Sequence, residues 1–408
     1  MTRRAAFIAA LLVGAGAPLS AQDLSWSEVE RGRYLAIASN CVSCHTDLAN
    51  DGPPWSGGRE METPFGVIIT PNITPDEETG IGLWTRDDLW TAMHEGRRRD
   101  GAYMYPAFPY THFTRMPRAD VDAIYAYLRT LPPVRADHVP EDELPLPLQL
   151  RASIAGWNLL HFEPGVFVPD PAQSDEWNRG AYLVTGPGHC GACHTPRNIL
   201  GGEQEDEFLR GGVLEGWHAP NIRGGENGGI AHWSHEDIVS FLGTGRNEHT
   251  AAMQRMGEVV SFSTQHLSDE DLSAIATYLR SLDDPPRQQY NPPAEAVMNA
   301  GAAIYFDNCA ACHHADGSGE PYMFARLDGS NKVQADDPTT VIRIILEGAQ
   351  AIPTDAHPGP LGMPAFDWKL SDDNIADLVS YLRNAWGNTG ESVSASDVAD
   401  IRESLAND

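Results

Sequence analysis

The sequence predicts an all-α protein of three tandem domains, and three repetitions predict it. A Cys-x-x-Cys-His run occurs at Cys41, Cys44 and His45, at Cys190, Cys193 and His194, and at Cys309, Cys312 and His313. Each run follows a helical segment with a small residue near an aromatic one: Gly32 and Tyr34, Gly180 and Tyr182, Gly301 and Tyr305. Each unit then closes on an amphipathic helix carrying Tyr-Leu-Arg, at Tyr127, Tyr278 and Tyr381. Self-similarity of this kind marks a repeated supersecondary unit. A chain of 408 residues is long enough for three domains of roughly 100–150 residues each.

In chain order, Arg3 and Arg4 precede a short apolar run over residues 5–13, and Leu19-Ser20-Ala21 is a small-residue cleavage site. Residues 1–21 therefore read as a secretory signal peptide, with the mature chain starting near Gln22. The first domain is expected over 22–133, its closing helix at 120–131. Pro132, Pro133, Pro140, Pro145 and Pro147 then mark a stiff connector, 134–174, with a helical segment near 148–161. The second domain is expected over 175–282, closing with 271–282, and a second proline-rich linker over 283–293. The third domain is expected over 294–390, closing with 374–386, and an acidic tail over 391–408 is weakly amphipathic through Val398, Ile401 and Leu405. Acidic residues near the closing helices' starts suit the helix dipole. A glycine on each first helix lets the last helix cross closely, and aromatic rings fill the crossing.

The chemistry lies in the cysteines. Six in an exported chain would ordinarily mean three disulfides, but here they fall in three pairs, each followed at once by histidine, with none left over. Two thiols at this spacing can each add to a vinyl group of one haem, and the next residue lies under the iron to supply an imidazole nitrogen. A zinc site would need four N/S ligands, and a thioredoxin-like motif would not need the histidine. The cofactor expectation is three covalent haem c groups, bound through Cys41, Cys44, Cys190, Cys193, Cys309 and Cys312, with His45, His194 and His313 as proximal iron ligands.

The opposite iron position, filled by methionine or histidine, gives a closed electron-transfer centre; left open, it binds small molecules. Met363 precedes a proline ahead of the last helix and is the third distal candidate, with Met323 a minor rival. Met256 is preferred over Met253 in the second domain. In the first, Met104 ranks ahead of His112 and Met116, because its offset from Tyr127 is close to that of Met256 from Tyr278. Pro71-Asn72-Ile73 and Pro220-Asn221-Ile222 follow their haem runs at similar distances. Either a carbonyl or asparagine there orients the axial histidine, or the loop is a turn repeated by descent.

Fifty-seven acidic residues against 28 basic give a net charge of −29, so nucleic acid and anionic lipid should be repelled. No stretch is long and apolar enough to predict a transmembrane helix.

The helices wrapped around each haem run resemble the class I cytochrome c fold. More specific residues are Thr63-Pro64-Phe65-Gly66, Thr70-Pro71-Asn72-Ile73, Tyr105-Pro106-Ala107-Phe108-Pro109-Tyr110, Trp177-Asn178-Arg179-Gly180, Cys193-His194-Thr195-Pro196-Arg197-Asn198 and Met363-Pro364-Ala365-Phe366. Through them, nearly all of the mature chain resembles the three-haem cytochrome c subunits of bacterial membrane-bound dehydrogenases. The resemblance implies no catalysis by the chain itself. It implies a separate catalytic subunit of flavin, quinoprotein or molybdenum type, and electrons leaving to ubiquinone or another carrier such as a cytochrome. The location implied is the periplasmic face of the inner membrane, with attachment peripheral or through partners. The chain departs from alcohol-dehydrogenase-type members at Phe108, where they tend to have methionine, and in its short acidic tail. The alternatives are a free-standing periplasmic electron shuttle and, from another class, a peroxidase-like haem enzyme with its open site in the first domain.

Overall fold

The computed structural model describes residues 21–136, 144–146 and 148–407. The expected signal peptide, apart from Ala21, lies outside the described residues, as do Pro140 and Pro147 of the connector.

The first unit runs α1 (Ala21–Ala38), α2 (Cys41–Cys44), the hairpin β1 (Glu60–Thr63) and β2 (Gly66–Ile69), α3 (Arg86–Glu95), α4 (Tyr110–Phe113) and α5 (Arg118–Leu128). The connector carries α6 (Ser153–His161). The second unit has α7 (Asp175–Thr185), α8 (Gly191–His194), the hairpin β3 (Gly211–Leu214) and β4 (Trp217–Pro220), α9 (His235–Thr244), α10 (Gln254–Phe262) and α11 (Asp269–Arg280). The third has α12 (Glu295–Asn308), α13 (Ala310–His313), α14 (Thr339–Glu347), β5 (Ala349–Gln350), β6 (Gly362–Met363) and α15 (Asp372–Leu382), and the tail forms α16 (Ala395–Asn407). The expectation of an all-α chain holds only in part: the described residues are largely helical but include three two-stranded antiparallel sheets. These strands are two to four residues long, too short to impose a visible two-residue alternation on the sequence.

In every unit the first helix crosses the last: α1 on α5, α7 on α11, α12 on α15. The glycines make this contact. A Cβ on Gly32, Gly180 or Gly301 would strike the carbonyl oxygen of Ala123, Ala274 or Asp377 on the crossing helix. At the third crossing Trp386 packs edge-on against Tyr305 and Tyr381, which are tilted on each other, with ring centroids 5.0–5.7 Å apart. The arginine of each Tyr-Leu-Arg ties the last helix to a loop carbonyl: Arg129 to Gly82, Arg280 to Trp233, and the buried Arg383 to Val333 and Ala335. The middle helices α3 and α9 begin with capping boxes, Thr85 with Asp88 and Ser234 with Asp237, and end on left-handed Gly96 and Gly245.

The first two units are not separate beads. One continuous core contains Leu35, Phe113 and Ile124 of the first and Leu183, Leu272 and Leu279 of the second. The start of each unit's closing helix receives a hydrogen bond from the first helix of the other unit. Tyr34 of the first unit donates to Asp271 of the second at 2.5 Å, and Tyr182 of the second donates to Asp120 of the first. Each carboxylate also holds an arginine of its own unit, Arg31 for Asp120 and Arg179 for Asp271. The third unit has its own core around Ile342, Leu378 and Val379. It docks on the second through an Ala351–Met253 backbone bridge and a Thr340–His218 pair of hydrogen bonds.

The connector's described residues are docked as well. Leu144 and Ile154 pack with Tyr105, and Tyr110 donates to Asn158 at 2.6 Å. The tail helix lies on the third unit, with Val398 fully buried and Arg402 paired to Asp372.

Candidate haem sites

Each Cys-x-x-Cys-His run occupies a single turn after its unit's first helix. In all three, the histidine Nδ1 lies 2.7 Å from a backbone carbonyl oxygen: His45 on Pro71, His194 on Pro220, His313 on Ala325. A carbonyl can only accept, so Nδ1 carries the proton and Nε2 keeps its lone pair for a metal. Of the two readings of the Pro-Asn-Ile loops, the structure bears out the carbonyl one. Asn72 and Asn221 instead brace the loop, Asn72 Nδ2 on the Val134 carbonyl and Asn221 Nδ2 on Asp284.

Burial holds all three imidazoles below the ordinary histidine range, His194 down to about 4, against the opposing pull of the carbonyl contact. The neutral ring is the form that coordinates iron. None of the six cysteines is in a disulfide. Burial pushes Cys41, Cys190 and Cys193 up to about 12 and Cys309 up to about 11, so these are not the activated thiolates of a redox or catalytic site.

A cavity of about 1640 Å³ opens beside the first run. Cys41, Cys44 and His45 line it, and its wall continues through Cys193 to Asp337 of the third unit. Ser39 Oγ and Asn40 Oδ1 lie in this wall, buried and without a hydrogen-bond partner. Spaced thiols, an oriented imidazole, orphaned polar atoms and an apolar hollow all fit a covalently held haem. The first and second sites are neighbours: α10 of the second unit packs on α2, and Cys44 is close enough to Cys193 to raise its pKa. Between them, Arg59 bonds the Ser43 carbonyl and Glu258, and burial lifts Glu215 to about 7.

The distal candidates divide. Met363 is half-buried against the third core, as is Cys309, and its strand pairs with Ala349; the rival Met323 is 52% exposed. Met256, in the first turn of α10, packs half-buried on the core that also receives Cys190, whereas the backbone of Met253 bridges to the third unit. The three first-unit candidates are not brought to the first cavity. Met116 is fully buried in the shared core. His112 faces the second unit, with Nε2 3.0 Å from Glu203 and Nδ1 3.2 Å from the Thr185 carbonyl. Met104 is not part of the cavity wall, which Phe108, Phe113 and His189 do form. His189, inserted from the second unit with Nε2 3.3 Å from the Ser39 carbonyl, was missed by sequence reasoning; only its place just before Cys190 could have pointed to it.

These sites define a three-centre, c-type haem protein. The cytochrome c family profile matches residues 29–132, 178–283 and 298–386, one stretch per unit. The chain is 40% identical to the cytochrome c subunit of alcohol dehydrogenase (quinone) from Gluconobacter oxydans, across 98% of this chain and 87% of the relative. It is 40% identical to the gluconate 2-dehydrogenase cytochrome c subunit of Pantoea cypripedii, across 92% and 89%. It is 37% identical to the fructose dehydrogenase cytochrome subunit of Gluconobacter japonicus, across 92% and 82%. The chain belongs to the cytochrome c family and carries three haem c groups.

Proposed function

We propose that the chain is the electron-transfer subunit of an exported dehydrogenase complex. It takes electrons from a separate catalytic subunit of flavin, quinoprotein or molybdenum type and passes them to ubiquinone or another respiratory carrier. The observation that carries this reading is likeness over nearly the whole length, at about 40% identity, to cytochrome subunits of alcohol and gluconate dehydrogenases. In this reading His45, His194 and His313 are the proximal iron ligands, and Met256 and Met363 the distal ligands of the second and third haems. The thioethers raise the potentials of those two centres. Adjacent first and second sites in one shared core support rapid transfer, since little reorganises when the charge moves.

A patch of exposed apolar residues supports a partner-binding role rather than a free shuttle. Leu159, Leu160 and Ile199 are 86%, 68% and 94% exposed, and Trp157 of α6 is hydrogen-bonded to the Leu200 carbonyl, joining the two segments. Clustered exposed apolar surface marks an interaction site. Among the described residues no helix is long and apolar enough to cross a membrane; in this reading the chain works at the periplasmic face of the inner membrane, held peripherally or through that partner. The test is affinity capture of the full chain from native membranes, followed by addition of candidate alcohols, sugars and aldehydes. A dehydrogenase subunit should co-purify and one substrate should reduce the haems. A solitary protein whose haems no substrate reduces would overturn the reading.

A further inference from the structure

We infer that the first haem has no protein ligand on its distal face, and that its reduced iron binds a small neutral diatomic molecule such as carbon monoxide or nitric oxide. The inference rests on haem attachment at Cys41 and Cys44 with His45 as proximal ligand. It holds whichever partner supplies electrons.

The argument begins with a backbone register shared by the first two units. After α3 and after α9 the chain leaves through a left-handed glycine and folds back. It closes the same hydrogen bond in both places: Met104 N to Gly96 O at 2.8 Å, and Ala252 N to Gly245 O at 2.8 Å. The neighbouring bridges also correspond, Arg97 with Tyr103 and Arg246 with Ala251. Met104 is thus the counterpart of Ala252, not of Met256. Four residues beyond each anchor stand Phe108 in the first unit and Met256 in the second. The first unit therefore presents a benzyl ring where the second presents a thioether.

Phe108 lines the cavity with Cys41, Cys44 and His45, and packs tilted against Phe113 with ring centroids 5.3 Å apart. A phenyl ring has no lone pair to give to iron. Of the imidazoles and phenols in or near this wall, three are held elsewhere, and His218 enters it from β4, the strand that ends on Pro220 at the second site. His112 is bound to Glu203, Tyr105 Oη donates to the Leu148 carbonyl at 2.9 Å, and the His189 ring meets Phe113 edge to face with Nε2 toward the Ser39 carbonyl. Met61 also lines the cavity, but from the hairpin that leads into Pro71, the loop holding the proximal imidazole. Pro106, Ala107 and Pro109 complete the distal segment. Reduced haem iron back-donates to a neutral π-acceptor, and Pro106, Ala107, Phe108 and Pro109 offer no side-chain lone pair to compete with one.

The test uses the full-length holoprotein, with haem iron counted by a pyridine haemochrome assay, so that a failure of haem attachment shows in the count and not in the ligand ratio. Reduced protein is titrated with carbon monoxide, and the near-infrared methionine-to-iron band of the oxidised protein is integrated. Wild type should bind one carbon monoxide per three haems and show two thioether equivalents. Phe108→Met should abolish binding and bring the band to three equivalents; Met104→Leu should match wild type. Three unreactive haems or three thioether equivalents in the wild type would overturn the inference. So would persistent binding by Phe108→Met or a changed ratio in Met104→Leu. Should Phe108→Met fail to fold, the wild-type ratio and band decide alone.

Discussion

Removing the hydroxyl of Tyr34 should loosen the joint between the first two units. Tyr34→Phe keeps the ring, so apolar packing stays constant and only the polar contacts change. The hydroxyl donates to the buried Asp271 carboxylate at 2.5 Å and accepts from the amide of Ser268, which caps α11, at 3.2 Å. A hydrogen bond to a charged group contributes about 1.5–3 kcal/mol. Because a capping residue's amide loses its partner too, Tyr34→Phe should fall in the upper half of that range. Tyr182→Phe removes the reciprocal bond to Asp120 alone and should fall in the lower half. The two are not independent. Arg179 pairs with Asp271 and also sits 5.5 Å from the Tyr182 ring centroid. A double-mutant cycle should therefore show a coupling of about 0.5 kcal/mol or more. The assay is urea denaturation of the holoprotein, followed by backbone dichroism and by haem absorbance. If both single variants lie within about 0.5 kcal/mol of the parent, a surface-like value, the exchanged tyrosines do not hold the units together and the apolar core alone does.

Two further outcomes follow from the same geometry. Burial would raise the Asp271 carboxyl, but its bonds to Arg179 and Tyr34 outweigh that and hold it below the ordinary carboxylate range. A depressed folded-state pKa contributes stability above the unfolded value, lost as the pH falls through the folded one. Stability should therefore drop below about pH 4, and Asp271→Asn should be weaker at neutral pH yet converge on the parent in acid. Parallel curves would refute this. Met363→Ala should lower the potential of the third haem and open its iron to carbon monoxide, leaving the other two centres unchanged, because that unit has a core of its own. A redox titration identical to the parent's would remove Met363 as the distal ligand.

Much of the site was legible in the sequence because its chemistry is local. A thiol pair and an imidazole within five consecutive residues declare a haem site without reference to the rest of the chain. The glycines at 32, 180 and 301 were legible for a related reason, since only a missing side chain permits the observed helix crossings. The hairpins and the orienting carbonyls were not. The carbonyl that fixes His313 belongs to Ala325, and a backbone oxygen has no residue type to recognise. Matching the offsets of Met104 and Met256 from the closing helices pointed to Met104, because the loops after α3 and α9 differ in length and only their backbone hydrogen bonds establish which residues correspond.

The sequence by itself determined the covalent chemistry, the three helix crossings and the acidic balance of the chain. Only the tertiary structure decided how the units share their interior. It joined the first two in one apolar core tied by Asp120 and Asp271, gave the third a core of its own, and set Phe108 in the first cavity's wall with Met104 outside it. The physical reason is distance along the chain: Tyr34 and Asp271 are 237 residues apart, and no local pattern encodes a contact made only when two whole units have folded against each other.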